Sequence, residues 1–168
     1  DVAAQHGPVL HLLFNNAGIG GGGSIVTDER GEWERTFGVC WYGVYYSTRA
    51  FLPLLLAADE GHVVNTSSVN GFWASLGVNT PHTAYSAAKF AVKGFSEALI
   101  TDFRINAPHL HAHVVMPGHI GTSIVENSMK HGAEQLADTD AAMMQVASDF
   151  FRDSAPTSAA QAATIILD

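Results

Sequence analysis

The sequence holds a single cysteine, Cys40, so no internal disulfide framework can staple it, a usage that fits a reducing, cytoplasmic setting. Basic residues are also scarce. With 8 Lys plus Arg against 16 Asp plus Glu and a formal charge of −8, no basic stripe is available to follow a nucleic-acid backbone or an anionic lipid surface. No apolar run approaches the roughly 20 residues that span a bilayer, and no charged leader with a cleavage site opens the chain. Repeats and linkers are lacking too, which leaves one domain over residues 1–168 as the expectation. What is present is apolar content: 47% of the residues are hydrophobic, enough for one sizeable core. The chain starts at Asp1, without Met, and enters a strand-like segment almost at once, from which a fragment of a longer domain is expected.

Val9 to Phe14 is nearly continuously apolar, the pattern of a strand buried on both faces of a parallel sheet. It runs into Asn15-Asn16-Ala17-Gly18 and the glycines 20–23. A helix is predicted from Thr27, with Asp28, Glu29 and Glu32 favouring its dipole, to about Ala58, kinked or divided at Pro53. His62 to Thr66 reads as a second strand and His111 to Met116 as a third, with a long helix from His82 to Asn106 between them. Beyond Pro117-Gly118, Thr122 or Ser123 can cap a short helix. A helix is predicted over Ala133 to Phe151, and a last one from Ser158 with Thr157 as its cap. Strands alternating with helices point to a doubly wound α/β sheet.

The chemistry-bearing pattern is Tyr85-x-x-x-Lys89 on the long helix, with Ser68 at the end of the second strand. An i, i+4 spacing sets phenol and ammonium on one helical face. The ammonium favours the ionised phenol, so a tyrosine with an ordinary pKa of about 10 could exchange protons nearer neutrality.

Four motifs occur in order: Asn15-Asn16-Ala17-Gly18, Asn65-Thr66-Ser67-Ser68-x-x-Gly71, Tyr85-x-x-x-Lys89 and Pro117-Gly118-x-x-x-Thr122. From Leu10 to about Thr122 the chain thereby resembles the short-chain dehydrogenase/reductase family. The resemblance implies a Rossmann-like doubly wound parallel sheet and hydride transfer between NAD or NADP and a carbonyl or alcohol carbon. By that resemblance Tyr85 is the general acid/base, Lys89 lowers the Tyr85 pKa and holds the nicotinamide ribose, and Ser68 bonds the substrate oxygen. Asn15, Ala17 and Gly18 match the segment near the adenosine. Pro117, Gly118, Ile120 and Thr122 match the segment at the nicotinamide carboxamide and its phosphate, with Thr122 serving equally as a helix cap. The long helices around Tyr46 and Phe95 resemble the faces through which members form dimers and tetramers. No metal is implied.

Three departures qualify the resemblance. The family's Thr-Gly-x-x-x-Gly-x-Gly fingerprint is absent, and with it the first three strands and the last. At about 30 residues per βαβ unit, roughly 70 residues would precede Asp1. Residues 1–168 are then the catalytic half of one partial Rossmann domain, expected to be inactive without its cofactor half. Gly18-x-Gly20-x-x-Gly23 imitates a dinucleotide fingerprint, but no strand and acidic residue follow at the required distance, so a mobile loop bordering the active site is expected instead. Cys40 stands where the family usually has the Asn of Asn-x-x-Gly, a residue that helps hold a proton-relay water, and reduced activity is expected.

Alternation of His109, His111 and His113 would put them on one strand face, but without acidic or thiol partners at ligand spacing no metal site is expected. His82 either lines the substrate pocket or helps start the helix. Phe72, Trp73 and Leu76, with Met129, Met143 and Met144, would supply an apolar pocket or lid for a small apolar carbonyl or alcohol. Two alternatives to the dehydrogenase reading stand: an epimerase or dehydratase on the same fold, and a non-catalytic relative kept for binding or regulation.

Overall fold

The computed structural model describes residues 2–74, 81–124, 127–128 and 138–167. A short helix α1 (Val2–His6) leads to strand β1 (Leu12–Asn15). The strand is shorter at its start than the apolar run, because Leu10 gives its N–H to the carbonyl of Leu54 and not to a neighbouring strand. A single helical path follows in three parts: α2 (Arg30–Phe37), a π-helical turn over Gly38–Tyr42, and α3 (Gly43–Leu56). It starts later than Thr27 because the Ser24 hydroxyl accepts the N–H groups of Val26 and Thr27, each at 3.1 Å, and closes a separate turn. Pro53 does not divide the path. It lies inside α3, in the last turn before Leu56.

Strand β2 (Gly61–Thr66), helix α4 (Thr83–Asn106) and strand β3 (Leu110–Val115) complete the main sheet. Its order is β1-β2-β3, all parallel, with Asn15 opposite Asn65 and Asn65 opposite Val114. A second parallel pair joins β4 (Ile120–Gly121) to β5 (Thr157–Ser158), with α5 (Asp138–Asp153) between them and α6 (Ala159–Leu167) after. Residues 133–137 of the helix expected from Ala133 lie outside the described residues. Ser158, not Thr157, caps α6: its Oγ accepts the Gln161 N–H at 3.2 Å while Gln161 Oε1 accepts the Ser158 N–H at 2.9 Å, a reciprocal capping box.

The architecture is the incomplete Rossmann-like α/β sheet expected from the sequence. Helices α3 and α4 cover one face, and the core lies there, from Leu55 through Val63 and Leu110 to Leu99, Phe103 and Ala107. The expectation that β1 is buried on both faces is corrected. Leu12 and Phe14, on the face turned from α3 and α4, remain 44% and 43% exposed, because none of the described helices packs over them.

Through that core runs a polar thread. The Asn15 amide donates to Thr48 Oγ1 at 3.0 Å and to Asn65 Oδ1 at 2.8 Å. Asn65 in turn donates to Ser96 Oγ at 2.9 Å, and the Thr48 and Ser96 hydroxyls close on the carbonyls of Val44 and Val92. All four side chains are buried, so satisfied hydrogen bonds fix β1 and β2 against α3 and α4 at one register. The carboxyl ends of the strands are thereby held in place, where open α/β sheets present their sites. No helix among the described residues is long and apolar enough to cross a membrane.

Candidate active site

Where β2 ends, the chain stays paired to the segment after β3: Ser67 N–H bonds Val115 O at 2.8 Å and Val69 N–H bonds Pro117 O at 3.0 Å. Ser68, in extended backbone, opens a 3-10 turn over Val69–Gly71, and its Oγ accepts the Asn70 N–H at 3.2 Å. Ser67 Oγ donates to the Lys89 carbonyl at 2.7 Å, which docks this turn on α4. Gly71 makes the docking possible, since a Cβ there would meet Ser67 Oγ and sit 2.6 Å from Lys89 O.

The start of α4 is fixed by the glycine loop. Gly22 and Gly23 carbonyls accept the N–H groups of Ala84 and Thr83 at 3.0 and 2.9 Å, satisfying donors that a helix start leaves open. Gly22 adopts φ +57, and a Cβ on it would lie 2.6 Å from the Ala84 Cβ. The glycine loop, expected to be a mobile border of the active site, is a cap bonded to the start of α4. Trp33 Nε1 donates to Thr83 Oγ1 at 3.0 Å, tying α2 to the same point.

On the first turns of α4 stand Tyr85 and Lys89, with the Ser68 side chain near enough to the Tyr85 hydroxyl to draw its pKa down. Lys89 is buried, its Nζ 5.5 Å from the Tyr85 ring centroid and 2.9 Å from Thr66 O, to which it donates. Burial raises the Tyr85 pKa above its ordinary value, the Ser68 side chain pulls it down, and Cys40 adds to the rise. The direction is thus opposite to the one expected from a neighbouring lysine, because loss of water around the phenol outweighs the rest. Burial also lowers the Lys89 pKa, against an opposing contribution from Cys40. His82 meets the Tyr85 ring edge-on at 6.3 Å, and burial lowers its pKa.

Cys40 is wholly buried at the centre of the π-helical turn, a distortion that the sequence did not reveal apart from the glycines bracketing it at 38 and 43. Its Sγ donates to the Ile19 carbonyl at 3.2 Å. Gly18 fits between: a Cβ there would lie 3.6 Å from Lys89 Nζ and 3.9 Å from Cys40 Sγ.

The remaining candidates are spread around this centre. The Asn15 side chain is committed to the polar thread, leaving only its backbone for a ligand; Ala17 is exposed beyond it. Pro117 holds the Ser68 turn through its carbonyl, and Gly118 is exposed. Ile120 pairs with Thr157, while Thr122 Oγ1 accepts the Ile124 N–H at 3.4 Å, as a cap would. Phe72 and Trp73 are 70% and 67% exposed beside the turn. Leu76 and Met129 lie outside the described residues. The histidines group differently from the alternation: His62 stacks on His111 and His113 at 5.1 and 5.3 Å, while His109 precedes the strand. Among the described residues no group of three or more such side chains could hold a metal ion.

A parallel α/β sheet with Ser, Tyr and Lys gathered at its strand ends defines the class, and the chain belongs to the short chain dehydrogenase family, whose sequence profile matches residues 1–133. The chain is similar to SadH of Mycobacterium tuberculosis, 38% identical over 128 residues, which cover 76% of this chain and 45% of that one. It is also similar to the 3-ketodihydrosphingosine reductase of Bacteroides thetaiotaomicron, 34% identical over 119 residues, 70% of this chain and 42% of that one. The chain thus spans less than half the length of these curated relatives. Among solved structures, a short-chain dehydrogenase/reductase of Burkholderia phymatum in complex with NAD superposes with TM-score 0.80 at 29% identity, over 99% of this chain and 60% of that one.

Proposed function

We propose that residues 1–168 form the proton-transfer half of one Rossmann domain in an NAD(P)-dependent oxidoreductase that interconverts an alcohol and a ketone or aldehyde. The observation that carries this reading is the convergence of Ser68, Tyr85 and Lys89 beyond the carboxyl end of β2, with Lys89 Nζ 5.5 Å from the Tyr85 ring centroid and Ser68 on the turn beside the phenol. Tyr85 is the general acid/base. Its phenol gives a proton to a carbonyl oxygen in reduction and takes one from a hydroxyl in oxidation. Ser68 shares that oxygen and supplies a fixed dipole where charge develops.

The residues fit a nicotinamide nucleotide. An ammonium carries three donors, and Thr66 O takes one from Lys89, leaving capacity for ribose hydroxyls beside the side-chain-free Gly18. The backbone of Asn15, Ala17 and Gly18 would flank the adenosine side. Pro117, Gly118, Ile120 and Thr122 would flank the nicotinamide, and Tyr85 and Lys89 the ribose. The bound nucleotide supplies or takes up the hydride, and no residue of this chain substitutes for that.

An apolar substrate is supported by exposed Phe72 and Trp73 next to Ser68, and by a relative named as a 3-ketodihydrosphingosine reductase. A homo-oligomer, dimer or tetramer, is supported by the exposed aromatic rings of Tyr42, Tyr45 and Tyr46 along the π turn and α3. A cytoplasmic location agrees with the free thiol of Cys40. The test follows nicotinamide absorbance in the complete reading frame with apolar ketones and alcohols. Turnover abolished by Tyr85→Phe is the expected result. Turnover surviving that change sinks the mechanism, and no cofactor-dependent turnover at all favours a binding protein.

A further inference from the structure

We propose that Asn70 is a positioning residue that holds the hydroxyl proton of Ser68 and releases it to the reacting oxygen. The inference rests on the roles proposed for Ser68 and Tyr85. Asn70 is 4% exposed, yet its side chain does nothing for the turn it sits in. The turn is closed by backbone alone, Gly71 N–H to Ser68 O at 2.8 Å and Trp73 N–H to Val69 O at 2.8 Å, with Val69 N–H anchored on Pro117 O. Among the described residues the one polar contact of the side chain is between its Oδ1 and Ser68 Oγ, at 3.4 Å, and its buried Nδ2 has no partner. A buried amide with an unmet donor is a cost to folding. An apolar residue would avoid that cost, so the amide is explained by what it does for Ser68.

A serine hydroxyl has one proton and two lone pairs. One lone pair takes the Asn70 N–H, and the proton then has two destinations, Asn70 Oδ1 and the oxygen of Tyr85 or of a substrate. When Tyr85 is a neutral donor, Ser68 accepts from it and parks its own proton on Asn70. When charge develops on the reacting oxygen, the proton swings over to it. Asn70 therefore competes with Tyr85 for the Ser68 proton, while Lys89, Cys40 and His82, the other titratable neighbours, stay as they are.

The test is an NMR titration of ring-labelled tyrosine in the complete protein, the Tyr85 signal being assigned by its loss in Tyr85→Phe. Removing the competitor in Asn70→Ala leaves Ser68 to donate fully to the phenolate, so the Tyr85 midpoint falls by about half a unit, whereas Ser68→Ala raises it. The same variant lowers kcat by about fivefold, with KM for the nicotinamide nucleotide unchanged and thermal stability equal to or above wild type. An unchanged midpoint in Asn70→Ala overturns the proposal. A raised one does too, since it would mean that the amide is turned to donate to Ser68. Should Asn70→Ala not fold, the near-isosteric Asn70→Leu decides: it removes the acceptor without adding charge, so a lowered midpoint supports the proposal and an unchanged or raised one refutes it. The titration needs no turnover. A silent nicotinamide assay with the titration response intact would therefore remove the proposed function and leave the Asn70–Ser68 coupling standing.

Discussion

Replacing Gly71 by alanine tests how closely the Ser68 turn must approach α4. The added Cβ would sit 2.6 Å from the Lys89 carbonyl oxygen and meet Ser67 Oγ, whose hydrogen bond to that same carbonyl docks the turn. Neither neighbour is the free end of a flexible side chain. The carbonyl belongs to the backbone of α4, and Ser67 is buried between β2 and the helix. Relief therefore comes from moving the turn outward by about 1 Å, to recover an ordinary contact distance. Ser68 begins that turn and moves with it, away from Tyr85. Misplacing a reacting group by about 1 Å can cost on the order of 100-fold in rate, so Gly71→Ala is expected to lower kcat/KM by about 10- to 100-fold. Strain of this kind destabilises by about 1–3 kcal/mol. Steady-state kinetics in the complete protein and urea unfolding followed by circular dichroism measure the two effects. Wild-type kcat/KM, within about twofold, with normal stability would refute the claim that this approach positions Ser68.

Asn15→Ala leaves Asn65 Oδ1 without its donor and removes a partner of Thr48 in a buried setting; a loss of about 2–4 kcal/mol in urea unfolding is expected, and a loss below about 1 kcal/mol would show the thread to be dispensable. Lys89→Met should abolish turnover while raising stability near neutral pH. Burial holds the folded Lys89 pKa below 10.5, so between the folded value and 10.5 the unfolded chain binds more protons and stability rises with pH. That rise should be absent from the pH dependence of melting in Lys89→Met, and its persistence would assign it elsewhere. Tyr85 acts oppositely: its raised folded pKa means that stability present below pH 10 is lost as pH climbs through the folded value, a loss that Tyr85→Phe should remove. Cys40→Asn should raise kcat by restoring a stronger hydrogen-bonding side chain at the π turn, and an unchanged or lower rate would mean that the Cys40–Ile19 contact already serves.

Residue types and spacings alone determined which side chains could carry the chemistry and the order of β1, β2 and β3 with the helices between them, but not α1 or the β4–β5 pair. Tyr85-x-x-x-Lys89 has helical spacing, Val63 to Thr66 is strand-like whatever surrounds it, and a lone cysteine with few basic residues limits the partners. Local periodicity reports such features because backbone geometry alone sets which residues share a face. Only the tertiary structure decided what these residues meet. The π turn around Cys40 is a backbone choice made against Ile19, Gly18 and Lys89, and these are far apart in sequence. Likewise, the glycines after β1 became a helix cap because Thr83 and Ala84 present open N–H groups to Gly22 and Gly23. Tyr85 carries a raised pKa because burial is set by the whole fold, whereas the i, i+4 lysine that suggested the reverse is only one neighbour. Asn70 had no motif value at all. Its role follows from an amide brought to Ser68 in a turn whose depth is fixed by Gly71 against α4, a long-range contact with no trace in local spacing.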